Sequence, residues 1–534
     1  MLRSLTLRRK HLTGARGHSG GISCSAQHKH VVCVGVYFRR EHSVSAKSSM
    51  TINPSLGWRA GGLALLTLAA LLVHGYHPYA EDAEIYLPGI LKIINPSLFP
   101  SNPEFFAHHA GYSLYPALIA SSVRLSHLPL PWVALLWQVA SIFLVLAGTW
   151  RLAAAFFEQE RARWGAVVLM AGLLTLPVAG TALYIVDQYL NPRNLAAFAA
   201  IFAVAELLHR RHGATVLWLL FAAAVHPLMA SFGILFCAWM VILERYRPGT
   251  AGLAVLVPGG IFDLPTPAYH EVALRQPYFF VLRWEWYEWL GVIGPVVLFW
   301  WFARLARRQA MRNVERVSRA MIPYIALATL ASIVLSIPGR LEPLARFEPL
   351  RCLALAYMIL ITIGGGLLAQ HVLRGDAWRW LVLFVPLSVG MYAAQRQLFP
   401  ASQHIEWPWS EPRNPWAQAF LWIRSNTPTE SLFALNPRHM ELPGEDENGF
   451  RARAERSMLA DAVKDKGAAS AFPPLAEQWL EQYEAQRDWE HFQKDDFERL
   501  RQRYGISWIV VQQPGPAGLE CPYENSVVRV CRLR

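Results

Sequence analysis

Residues 57–90 read GWRAGGLALLTLAALLVHGYHPYAEDAEIYLPGI. From Trp58 to His74 the one Asp, Glu, Lys or Arg is Arg59, and the run has about the 17 to 25 residues that a helix needs to cross a bilayer. Glu81, Asp82 and Glu84 follow a few residues later. A chain otherwise sparing with charge places three carboxylates where its first apolar run ends, as expected of a helix that leaves hydrocarbon and enters water.

Composition extends that reading to the whole chain. With 54% hydrophobic residues, 16% charged residues and 21 Trp among 534 positions, the apolar content exceeds what a water-soluble core needs. The formal net charge of +12 is concentrated in residues 1–49, where nine Lys/Arg face the single acid Glu41; that segment carries +8 and leaves about +4 for the rest. The basicity therefore does not indicate a nucleic-acid partner. Residues 1–49 hold no apolar run of membrane length, no heptads and no signal-peptide core. They are read as lying ahead of a true start at Met50, with a disordered basic cytoplasmic extension or an Arg-rich transit peptide as alternatives.

About eleven apolar segments follow, near 58–74, 131–150, 163–182, 192–208, 214–226, 228–243, 250–262, 286–303, 319–337, 351–372 and 378–395. Basic residues fall in alternate loops: Arg151, Arg161 and Arg163 after the second segment, HRRH (209–212) after the fourth, ERYR (244–247) after the sixth, and RLARRQAMRNVERVSR (304–319) after the eighth. Lys and Arg mark cytoplasmic loops. The expected fold is thus mainly α: a polytopic transmembrane bundle of about eleven spans over 50–396, with its N-terminus cytoplasmic, and a C-terminal part, 397–534, outside.

The first outward loop, 75–130, then carries Glu81 and Asp82. From Leu87, LPGILKIINPSLF sets Ile90, Leu91 and Ile94 at helical spacing opposite Lys92, a pattern for a short interfacial helix with Pro88 in its first turn. Later outward loops supply further polar groups: Asp187 and Arg193 in YIVDQYLNPRN, His226 before Pro227, Asp263 and His270 in FDLPTPAYHE, and Arg340, Arg346 and Arg351 in IPGRLEPLARFEPLR. Arg in outward loops runs against the charge bias and reads as guanidinium forks for an anion. Alternatively these Arg pair with Glu342 and Glu348 and snorkel to lipid phosphate. For Glu81 and Asp82 the competing reading is a solvated turn in which Asp82 caps the next helix; for His226 it is a hydrogen-bonded helix end.

Beyond residue 397 charge rises and apolar runs shorten, with ESLFALN, WIVVQQ and SVVRVCRL as strands of a small α/β domain. The charged stretches RARAERSMLADAVKDKG and EAQRDWEHFQKDDFERLRQRYG read as solvated helix faces. Of six Cys, Cys24 and Cys33 lie in the tail and Cys237 and Cys352 in expected spans, which leaves Cys521 and Cys531. They flank PYENSVVRV, whose turn chemistry lets the two sulfurs meet across a closing hairpin, and an outward domain permits the disulfide. The sequence has no P-loop, no GxGxxG after a strand, no HExxH and no paired CxxC, so nucleotide hydrolysis and structural zinc have no support.

The acidic pair in AEDAEIYLPGI, the amphipathic stretch after it and the outward C-terminal domain entered through NPWAQAFLWIRSNTPTESLFALNP resemble bacterial GT-C class glycosyltransferases. The resemblance spans residues 50–534 at the level of architecture. It implies an integral membrane enzyme of the bacterial plasma membrane that transfers a sugar from a polyprenyl-phosphate donor to an acceptor on the extracytoplasmic face. Asp82 or Glu81 would be the catalytic base, and Arg193, Arg340, Arg346 and Arg351 would supply the donor-phosphate clamp, with His226, Asp187, Asp263 and His270 as further site candidates. No long acidic metal motif follows, so no metal ligand is assigned, no cofactor is implied, and a divalent cation stays open. The rival class is a transporter or a non-catalytic membrane scaffold, which a visible inverted repeat with interrupted helices would have favoured.

Overall fold

The computed structural model describes residues 54–245, 265–337 and 341–533. In chain order its first helices are α1 (Pro54–His74), α2 (Ala83–Ile94), α3 (Glu104–Gly111), α4 (Tyr115–Ser126), α5 (Leu130–Phe156), α6 (Glu160–Gly172) and α7 (Pro192–Leu208). They continue as α8 (His212–Val225), α9 (Pro227–Arg245), α10 (Pro267–Leu274), α11 (Trp286–Arg308), α12 (Arg312–Leu335), α13 (Leu353–Leu368) and α14 (Ala377–Leu398). Starts follow local chemistry. Asn191 accepts from the Asn194 N–H with Pro192 in the first turn of α7, and Glu285 and Glu288 form a reciprocal capping box at α11.

Seven helical stretches among the described residues are long and apolar enough to cross a membrane: α1, α5, α9, α11, α12, the run Glu342–Leu373 that contains α13, and α14. The segments expected at 163–182, 192–208 and 214–226 are the shorter helices α6, α7 and α8, of 13, 17 and 14 residues. The one expected at 250–262 lies outside the described residues. Helix α14 turns Trp378, Leu381, Val382, Val385 and Val389 outward, an apolar face suited to lipid rather than water. Helices α6 and α13 touch through their backbones: a Cβ added at Gly165 would sit 2.6 Å from the Gly365 carbonyl oxygen, and one at Gly365 2.5 Å from that of Gly165. Small residues permitting such approach are how helices pack where lipid removes the hydrophobic drive.

The basic loops gather at one end of the bundle. Arg59 pairs with Glu160 at 3.1 Å, Arg151 with Glu206 at 2.7 Å and Arg316 with Glu244 at 2.7 Å, while Asn313 donates to the Ala155 carbonyl. The other end carries the loop 75–130, which is folded into α2, α3 and α4 rather than left open. Helix α2 differs from the short interfacial helix expected from the sequence. It starts at Ala83, so Pro88 lies inside it, and most of its residues are buried. It packs against α3, α4 and α16, and Glu84 reaches Arg451 of the C-terminal domain.

That domain contains α15 (Pro415–Asn426), α16 (Phe450–Ala454), α17 (Lys464–Ala471), α18 (Ala476–Ala485) and α19 (Lys494–Tyr504). Its five strands are β1 (Leu432–Leu435), β2 (Ser457–Met458), β3 (Trp508–Gln512), β4 (Glu520–Glu524) and β5 (Val528–Arg532). They form one mixed sheet in the order β2-β1-β3-β5-β4. Strand β1 runs parallel to β2 and β3, and β5 runs antiparallel to both β3 and β4. Strand β3 is buried on both faces (Trp508, Ile509, Val510, Val511), which explains why WIVV shows no alternation. A disulfide joins Cys521 to Cys531 across β4 and β5. The domain docks on the first loop through paired backbone: Glu81 N–H donates to Glu447 O at 2.9 Å, Gly449 N–H to Tyr79 O at 2.8 Å, and Tyr76 N–H to His404 O at 3.0 Å.

Candidate active site

A cavity of about 1060 Å3 opens where the first loop, the loop before α7, the α8–α9 junction, the stretch before α13 and the C-terminal domain meet. Its lining includes Glu81, Asp82, Asp187, Arg193, His226, Arg346 and Arg351. Residues from separate loops that the sequence marks as candidates thus converge on one space. His270 stands apart and pairs with the buried Glu342 at 2.8 Å. Arg340 and Asp263 lie outside the described residues.

Backbone geometry aims the two carboxylates. Glu81 adopts a left-handed φ of 57°, uncommon for a residue with a β-carbon, and its N–H is held by the Glu447 carbonyl. Asp82 occupies the position before α2 but makes no side-chain cap. Its side chain instead accepts from Arg193 Nη1 at 2.5 Å through Oδ2 and from Lys464 Nζ at 3.1 Å through Oδ1. Helix capping therefore does not account for Asp82. Lys464 Nζ also donates to Glu81. Burial would push both carboxyls up, but Lys464 and a hydrogen bond with the Glu447 carboxyl together bring Glu81 below its usual range, and Lys464 and Arg193 together hold Asp82 far below it.

Arg193 is fixed from several sides. It donates to Asp187 Oδ2 at 3.2 and 3.3 Å and to the Tyr189 hydroxyl at 3.1 Å. Asp187 is in turn bonded by Asn191, and burial leaves its carboxyl above the usual range despite Arg193. The remaining cations differ in partnership. Arg351 pairs with Glu348 at 2.5 Å, the pairing weighed from the sequence. Arg346 donates to the Ala471 carbonyl at 3.3 Å and forms no ion pair among the described residues. His226 accepts from the Met229 N–H at 3.3 Å and so both ends a helix and lines the cavity.

The sequence reading missed the contribution of the C-terminal domain. Lys464, Lys466 and Gly467 of α17, with Phe472 just beyond it, form one wall, and His109 and Tyr86 of the first loop form another. KDKG reads as a solvated helix face; the Ala-rich flanks LADAV and GAASA were the available sign that this stretch is buried. Below the wall lies a buried ionic cluster. Arg451 binds Glu84 Oε1 at 3.2 Å and Asp465 at 3.1 and 2.7 Å, with Asp461 3.7 Å away. Glu84 also accepts from the N–H groups of Arg451 and Ala452, both at 3.0 Å. Asp461 accepts from the Lys464 N–H at 2.5 Å. Glu84 is two residues from Asp82, and Asp465 is next to Lys464, so Arg451 ties together the two segments that carry the Asp82–Lys464 pair.

No family model matches the chain, and no curated protein matches it.

Proposed function

We propose that the protein is a membrane glycosyltransferase of the GT-C type that transfers a sugar from a polyprenyl-phosphate donor at the extracytoplasmic face. The observation that carries this reading is the pairing of one carboxylate, Asp82, with cations from two separate elements, Arg193 and Lys464, inside a cavity large enough for a sugar and its phosphate. In the reaction, Asp82 takes the proton of the acceptor hydroxyl as the acceptor oxygen bonds to the anomeric carbon. The bond from that carbon to the phosphate oxygen breaks, and its electron pair leaves on the phosphate. Arg193, Arg346 and Lys464 stabilise the negative charge that gathers there. Glu81 sits beside Asp82 and shares Lys464 with it, which fits a role in placing that ammonium. Among the described residues no group of three or more His, Cys, Asp or Glu is arranged to hold a metal ion. The charged groups gather at one end of the bundle, whereas a transporter would carry them near its midplane.

Two measurements test the reading. Purified protein given a radiolabelled pool of polyprenyl-phosphate sugars from bacterial membranes is expected to move label out of the lipid fraction into an acceptor supplied in a membrane extract. A lipid fraction that keeps all its label would end the proposal. Orientation is tested with single cysteines in a chain stripped of its other free thiols. Replacements at the exposed Asn95 and Asp488 are expected to react with an impermeant reagent added from outside, and one at the exposed Arg308 is not. Labelling at Arg308 alone would place the cavity on the cytoplasmic side.

A further inference from the structure

Lys464 and Arg193 hold the same carboxylate but are held very differently themselves. The Arg193 guanidinium is clamped by Asp187 and the Tyr189 hydroxyl as well as by Asp82. Displacing it would strand the buried Asp187. Among the described residues the Lys464 ammonium has Glu81 and Asp82 as its hydrogen-bond partners, with the Glu447 carboxyl close enough to add to their pull. Its backbone is fixed where α17 begins, because Asp461 accepts from the N–H groups of Val463 and Lys464. The mobile part is a four-carbon stem ending in a point charge with three donors, which swings between partners more readily than a planar fork bonded on several sides.

The same wall offers that ammonium a second place to go. Lys466 and Arg346 line the cavity beside it, and neither forms an ion pair among the described residues. Two cations without carboxylate partners thus line the same cavity as a third that bridges two carboxylates. An anion that enters the cavity is attracted by the unpaired cations and competes with Glu81 and Asp82 for Lys464.

We infer that Lys464 is an exchangeable counter-ion: it neutralises Glu81 and Asp82 until a donor binds and then passes to the donor phosphate, freeing Asp82 to accept a proton. This rests on the glycosyltransferase reading. Donor binding and activation of the base become one event, because a carboxylate gripped by two cations is a poor proton acceptor and one that has lost a cation is a better one. The base thereby stays masked until the phosphate arrives.

The test compares the affinity of the purified full chain for a C55 polyprenyl phosphate and for the uncharged C55 polyprenol in detergent. Wild-type protein is expected to prefer the phosphate. Lys464→Gln should weaken phosphate binding about tenfold or more, the scale of one lost hydrogen bond to a charged group, and leave polyprenol binding unchanged. Glu81→Gln removes a competitor for the ammonium and should tighten phosphate binding in the wild-type background but not in Lys464→Gln. A gain of affinity is a result that misfolding cannot produce. Full phosphate preference in Lys464→Gln, or no tightening by Glu81→Gln, overturns the exchange alone. Equal wild-type affinity for phosphate and polyprenol overturns the donor reading and the exchange with it.

Discussion

Asp82→Asn is expected to lower sugar transfer by about a thousandfold, the middle of the range for loss of a positioned general base, while the protein stays folded. Asparagine keeps the volume of the side chain and loses its charge. The cations it abandons are not stranded, because Arg193 retains Asp187 and Tyr189 and Lys464 retains Glu81. The stability loss should therefore stay below the several kcal/mol that follow when a buried charge is left wholly unpaired. Transfer from labelled lipid-linked sugar, read beside the melting temperature of the same preparation, separates the two effects. A rate within a few-fold of wild type at an unchanged melting temperature would remove Asp82 from the mechanism. Glu81→Gln should cost less, since in the proposed reaction Glu81 places Lys464 while Asp82 takes the acceptor proton.

The residues around Asp82 also show which parts of the site a sequence can disclose. Glu81 and Asp82 were visible because charge is rare in the chain and they follow an apolar run directly. Asp187, Arg193, His226, Arg346 and Arg351 were visible because they lie in loops assigned to one side by the alternation of basic residues, and the cavity brings all five together. The helix α2 was foreseen only in part. Its amphipathic spacing was legible, but its start at Ala83 was not, since Pro88 suggests a first turn and the burial of Glu84 depends on a partner over 360 positions away. Lys464 was illegible for a related reason. A Lys between two Asp residues in a stretch of mixed charge has the signature of a solvated face, and nothing local records that Glu81 and Asp82 of a distant loop will cover it. The strands of the C-terminal domain were readable where they are apolar and continuous, as in β1, β3 and β5, whereas β2 at two residues and the alternating edge strand β4 left little pattern.

The contacts that hide Lys464 from the sequence carry the other large effect, a loss of stability by about 3 to 5 kcal/mol in Arg451→Leu, the range for removing one partner of a buried ion pair. Arg451 is the counter-charge within reach of Glu84, Asp461 and Asp465, and all four side chains are buried. Burial already pushes Glu84 up to about 8 and Asp465 up to about 7 against the pull of the guanidinium. Without it both rise further, so the folded state holds protons that the unfolded chain releases at the ordinary carboxylate pKa. A carboxyl raised by folding makes stability fall as pH climbs from the unfolded pKa through the folded one. The deficit of Arg451→Leu relative to wild type should therefore be larger at pH 8 than at pH 6. Arg438→Leu is the control, because its pair with Glu441 is exposed on both sides and such pairs contribute at most about 1 kcal/mol. Thermal unfolding in detergent at the two pH values decides the matter. Equal, small losses for the two variants would mean that the buried cluster does not fasten the C-terminal domain to the first loop. A large loss that grows with pH, together with weakened transfer, would show that docking of this domain sets where Lys464 meets Asp82.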